Sequence, residues 1–208
     1  DASMVVIDWV MKLAPYAVFA LIAAVVADFG TDLLMSLLVY SAVVVAGLLL
    51  HLGITYGFAV RFLAGLPFTT FLRRISKAPL VAFSTSSSNA TLPVTMETAE
   101  TEVGISKPVS SFVLPLGATI NMDGTALYQA VAVMFIAQIY GIDIGITEQL
   151  IVVLTATLAS IGAAGVPSAG IITLIIVLNA VGLGAQVQAG IALILGVDRI
   201  LDMIRTSV

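Results

Sequence analysis

Asp198, Asp202, Arg205 and Thr206 stand in a segment otherwise built mainly from Ile, Leu, Val, Gly and Met. At about 100° per residue of helix these positions span roughly one third of the circumference, so two carboxylates, a guanidinium and a hydroxyl share one face. Arg199 sits at its border. An ionisable residue at membrane depth costs about 2.5 to 3.5 kcal/mol on insertion scales, so several in one span imply a polar site inside a bundle. A guanidinium holds a carboxylate through two parallel N–H bonds, and Asp202, one turn away, accepts hydrogen bonds from an ammonium. Together they suit a zwitterion with an extra carboxylate. A second group, Asn121 and Asp123, supplies the hard oxygens that a small cation prefers. The structural alternative is that Asp202 and Arg205, three apart, neutralise one another and that Asp198 stabilises the bundle beside Arg199.

Composition limits the setting for such a face. Of the 208 residues 60% are hydrophobic and 10% charged, against about 25% charged in soluble domains, and the mean hydropathy is +1.16. We read the chain as an all-α integral membrane protein, because a helix satisfies its own backbone in lipid and the alternation of barrel strands is missing. With no cysteines, disulfides and thiolate metal sites are excluded. The net charge of −4 is uninformative as a total. The membrane-depth groups offer no nucleophile and base pair of the usual kind, which argues against an enzyme. Neither an organic cofactor nor a nucleic-acid partner is expected. Asp1 in place of a Met and the uncapped pattern at Val208 suggest a fragment, and no cleavable signal precedes the first span.

The elements that must position the polar groups follow from the interruptions. A first apolar span covers 10–27, and residues 33–64 form a longer one carrying only His51 and Arg61. Nothing near His51 in sequence offers a second metal donor, so it is left out of the site. The stretch 68–104 contains apolar segments too short to cross about 30 Å of hydrocarbon, meeting at Ser84-Thr85-Ser86-Ser87-Ser88-Asn89. That pattern describes a re-entrant hairpin. The form recurs over 147–183, where Ser160-Ile161-Gly162-Ala163-Ala164-Gly165-Val166-Pro167 interrupts the helix. Between them, 108–139 is long enough to span, yet Gly117 to Thr125 in its middle predicts an unwound helix with carbonyls facing a cavity. A final helix, 189–208, carries the polar face. Half-helix N-termini aim positive dipole ends at such a site.

Arg61, Arg73, Arg74, Lys77 and Lys107 fall in or beside two loops, whereas the loops at Asp28 to Asp32 and Asp143 to Glu148 have no Lys or Arg. The positive-inside bias then puts the first two loops in the cytoplasm. The two hairpins enter from opposite faces, as an inverted repeat requires.

Four segments carry a resemblance: Ser86-Ser87-Ser88-Asn89-Ala90-Thr91-Leu92-Pro93, Asn121-Met122-Asp123-Gly124-Thr125, Gly162-Ala163-Ala164-Gly165-Val166-Pro167, and Asp198 to Thr206. In this order they resemble the glutamate transporter family of dicarboxylate/amino acid:cation symporters, from about residue 9 to the end. The resemblance implies a scaffold-type helix within 1–30 and a transport-domain core over 31–208, with two opposed re-entrant hairpins and a broken transmembrane helix. It implies symport of glutamate or aspartate with sodium or protons by an elevator movement, in a multi-pass protein of a bacterial-type plasma membrane. Membrane lipid and a homotrimer, formed through a scaffold mostly absent here, are the implied partners.

By the same resemblance Arg205 binds the side-chain carboxylate and Asp202 the amino group. Thr125, Ser88 and Thr206 take remaining polar atoms, and the hairpin tips contribute Ser86, Ser87, Gly165 and Val166. The cation sites draw on Asp123, Asn121, the Gly117 and Thr119 carbonyls, and the carbonyls of Ser160, Ile161 and Ala163. Many relatives carry an Arg where this chain has Ser86 or Met203, so animal-type potassium counter-transport is not expected. The chain also stops one residue before an Asn that helps complete the family's sites. Two alternatives stay open: a C4-dicarboxylate carrier, whose branch lacks the acid found here at Asp202, and a channel or structural membrane subunit.

Overall fold

The structure is a computed structural model that describes residues 32–208 together with Tyr16, Phe19, Ala20, Ala23, Ala27 and Gly30. The expected scaffold-type span at 10–27 lies largely outside the described residues. All regular elements among the described residues are helical, in agreement with the all-α expectation. Helix α1, Asp32–Leu50, continues through π-helical stretches at His51–Tyr56 and Ala59–Leu63. Leu33, Leu37, Tyr40, Val44 and Leu48 form its buried stripe at spacings of three and four, while Met35, Leu38, Val39 and Leu49 are exposed. So much bare apolar surface marks contact with lipid or with other protein. Leu33–Leu63 and Lys107–Ile139 are the two stretches among the described residues long and apolar enough to cross a membrane.

Helix α2, Phe68–Ile75, leads into a first helical hairpin formed by α3, Lys77–Thr85, and α4, Ser88–Thr98, which ends in a π turn at Ala99–Val103. The reversal needs only two residues. Ser86 takes a left-handed conformation at φ 50°, and Ser87 is extended, its side chain capping α4 by accepting from Ala90 N at 3.2 Å. That cap satisfies one of the N–H groups left free at a helix start.

Helix α5, Lys107–Ile120, and helix α6, Asp123–Ile139, are the halves of the interrupted span. The interruption is narrower than the sequence suggests. Only Asn121 and Met122 leave helical geometry, and Asn121 N donates to the Gly117 carbonyl at 2.9 Å. The Gly117 and Thr119 backbone thus stays within α5. The interruption expected around 160–170 is narrower as well: α7, Ile146–Ile161, retains Ser160 and Ile161, and only Gly162 to Ser168 separate it from α8, Ala169–Ala180.

A 3-10 turn at Gly184–Gln186 precedes the last helix, α9, Val187–Ser207. It packs on α1, α3, α6 and α8, so the polar face of α9 meets both hairpins and the interrupted span. Tyr128, Ile136, Leu174, Leu178, Ile194 and Leu201 fill the space between these helices.

Candidate substrate and cation site

The polar face of α9 is buried: Asp198, Asp202 and Arg205 are each no more than 5% exposed. Arg205 Nε and Nη2 both reach Asp202 Oδ1 at 3.0 Å, and Nη1 reaches Asp198 Oδ1 at 3.3 Å. Asp198 therefore pairs with Arg205, not with its sequence neighbour Arg199. The guanidinium carbon sits 4.2 Å from the centre of the Tyr128 ring, an attractive arrangement for a desolvated cation. Two carboxyl groups face one guanidinium, which leaves acidic capacity for an incoming ammonium.

Both hairpin tips close on this face. Ser168 at the second tip is left-handed at φ 62°, and its N–H donates to Asp202 Oδ2 at 2.7 Å. The Gly165 carbonyl accepts from Ser87 Oγ at 2.6 Å and from Asn89 N at 3.1 Å, tying one tip to the other. Behind the second tip, buried Gln129 on α6 donates to the Gly170 carbonyl at 3.0 Å and to Thr173 Oγ1 at 2.5 Å. These bonds anchor the start of α8.

Where α5 gives way to α6, the Asp123 carboxylate accepts from His51 Nε2 and from the Tyr56 hydroxyl, both at 2.5 Å and both on Oδ2. The sequence reading excluded His51, and Tyr56 went unnoticed. Their partner is about seventy positions away, and the only signal was an ionisable ring in a long apolar run.

A cavity of about 180 Å³ opens among these groups. It is lined by the expected residues Ser86, Ser88, Asn121, Asp123, Thr125, Ala163, Gly165, Val166, Asp202, Arg205 and Thr206, and also by Tyr56, Met122 and Gly170. Five expected residues lie elsewhere. Ser87 is spent on the contact between tips, and Gly117 lines an adjacent cavity of about 280 Å³ shared with Asn121, Ser88 and Thr206. Thr119 is exposed with its hydroxyl on the Leu116 carbonyl, Ile161 is exposed, and the Ser160 carbonyl accepts from Ala163 N. Among the described residues no cluster of three His, Asp or Glu side chains could hold a metal ion. A cation here would rely on one carboxylate with amide, carbonyl and hydroxyl oxygens.

Comparison with known proteins identifies the family of the chain. The model of the sodium:dicarboxylate symporter family matches residues 1–208. Excitatory amino acid transporter 3 of Mus musculus is 45% identical over 213 residues, covering 100% of this chain and 39% of the relative. The proton/sodium-glutamate symport protein of Bacillus subtilis (strain 168) is 42% identical over 203 residues, covering 98% of this chain and 46% of the relative. The chain thus spans less than half the length of these relatives. On the family match along its whole length, the chain belongs to the sodium:dicarboxylate symporter family.

Proposed function

We propose that the complete protein is a secondary active symporter that carries an acidic amino acid, glutamate or aspartate, together with sodium or protons. The observation that carries this reading is the convergence of Arg205, Asp202 and Asp123 with two hairpin tips on one small cavity. Relatives named for excitatory amino acids and for proton/sodium-glutamate symport support the same solute and driving ions. Asp202 favours an amino acid over a plain C4-dicarboxylate. The bacterial-type plasma membrane, the multi-pass arrangement and a homotrimer built through the scaffold belong to the same reading, as does the absence of enzymatic chemistry.

In this mechanism the solute exchanges bonds already present. Its side-chain carboxylate takes the guanidinium of Arg205, leaving Asp202 free to accept from the solute's ammonium. Thr125, Thr206 and Ser88 hold remaining polar atoms, and the cation shares oxygens from Asn121 and Asp123. The two hairpins act as re-entrant gates, and residues 31–208 move as a transport core against a scaffold helix in 1–30. Coupling arises because each charge lowers the cost of burying the other.

Uptake of labelled aspartate, glutamate and succinate into proteoliposomes holding the complete protein, under imposed sodium or pH gradients, tests this directly. Gradient-driven, saturable uptake of the amino acids supports it. Conduction without saturation would instead identify a channel.

A further inference from the structure

The π-helical stretch His51–Tyr56 continues α1 at the level of the interrupted span. Such insertions carry an energetic cost and recur at functional sites. In an ordinary helix, residues five apart point about 140° away from each other, since each residue turns about 100°. A turn closed by i→i+5 bonds brings residues five apart onto successive turns of one face. His51 and Tyr56 are such a pair, and both meet Asp123 Oδ2 at 2.5 Å. Their rings also touch edge-on, 4.9 Å between centres.

We infer that His51 and Tyr56 are positioning residues for a cation ligand: the π turn lets them hold one oxygen of Asp123, so that the other is presented for a monovalent cation. Asp123 Oδ1 accepts no hydrogen bond among the described residues. Asp123 opens α6 directly after the break at Asn121 and Met122. The two donors on Oδ2 reach its side chain from the π-helical continuation of α1. Tyr56 and Asp123 both line the cavity that also holds Asp202 and Arg205. The inference rests on the symport reading for the cation's role, and its geometry stands apart from the acidic cluster of α9.

The test uses the complete protein, purified without solute. The variants are Tyr56→Phe, which keeps the ring against His51; His51→Leu, which removes the donor; and His51→Gln, which retains an N–H. Two quantities are read: the rise in melting temperature given by sodium over choline, and the sodium concentration that half-saturates aspartate binding. Losing a group that orients an ion's ligand costs roughly 10- to 100-fold in affinity. Tyr56→Phe and His51→Leu are therefore expected to need about tenfold more sodium or above, with aspartate affinity at saturating sodium unchanged and His51→Gln close to native. Unchanged sodium dependence in Tyr56→Phe and His51→Leu overturns the inference, as does a His51→Gln variant as impaired as His51→Leu. A native protein that sodium does not stabilise over choline overturns it too. If the sodium effect is present and lost as expected but no aspartate binds, the inference stands and the symport reading fails.

Discussion

Gly170 is packed against Arg205: a Cβ at position 170 would lie 2.9 Å from the guanidinium Nη2 and 3.0 Å from Cζ. The start of α8 therefore forms one wall of the slot whose other wall is the Tyr128 ring. Even the smallest side chain at 170 must push the guanidinium off Asp202 or push α8 back. Overpacking of this kind costs about 1 to 3 kcal/mol. Gly170→Ala is expected to weaken aspartate binding roughly tenfold or more, measured by titration of the purified complete protein, with sodium affinity less affected.

Removing Arg205 has two consequences that must be separated. Arg205→Ala leaves Asp198 and Asp202 buried without their cation, and breaking a buried pair from one side costs about 3 to 5 kcal/mol. The single variant is expected to lose both thermal stability and aspartate binding. Adding Asp198→Asn removes one stranded charge, so melting temperature should recover in part while aspartate binding stays lost. Recovery of binding in the double variant would mean that Arg205 serves the fold and not the solute.

The contact between hairpin tips is made on the Gly165 carbonyl by the Asn89 N–H and by one side-chain hydroxyl, that of Ser87. Ser87 Oγ donates to the Gly165 carbonyl and accepts from Ala90 N, so Ser87→Ala removes a tip contact and a helix cap together. The cap alone is worth about 1 kcal/mol. Faster escape of bound aspartate, by about tenfold for a loss near 1.4 kcal/mol, is expected in stopped-flow dilution. A dissociation rate equal to native would show that this contact does not restrain the gate.

Ser86 holds a left-handed conformation at φ 50° while nearly fully buried. Non-glycine residues pay about 1 to 2 kcal/mol for that region, and glycine does not. Ser86→Gly should raise the melting temperature of the complete protein. Ser86 lines the cavity, and the substitution should also weaken aspartate binding if its hydroxyl contacts the solute. Opposite signs in the two measurements distinguish a functional strained serine from an incidental one.

Much of this architecture was legible because the sequence marks where helices cannot continue. Asn121 between Gly117 and Gly124, and Gly162 through Pro167, announce interruptions in otherwise apolar runs. Their extent was not legible. Local propensity puts Gly117, Thr119, Ser160 and Ile161 in doubt, but α5 and α7 keep them helical because the hydrogen-bond ladder and packing outweigh a weak local preference. The shared face of Asp198, Asp202 and Arg205 follows from helical period alone. That Asp198 takes Arg205 rather than Arg199 follows from the same period, since residues one apart on a helix do not face each other. His51 and Tyr56 escaped because a π turn changes which residues share a face, and no residue pattern here signals that change.

The central claim is that Arg205 and Asp202 read a solute carrying both an extra carboxylate and an ammonium. Its most direct test compares the affinities of aspartate and succinate for the purified complete protein, native and Asp202→Asn, at saturating sodium. A hydrogen bond to a charged group is worth about 1.5 to 3 kcal/mol, so native protein should prefer aspartate by roughly tenfold or more, and Asp202→Asn should lose most of that preference. An aspartate-to-succinate ratio unchanged by the substitution would contradict the account.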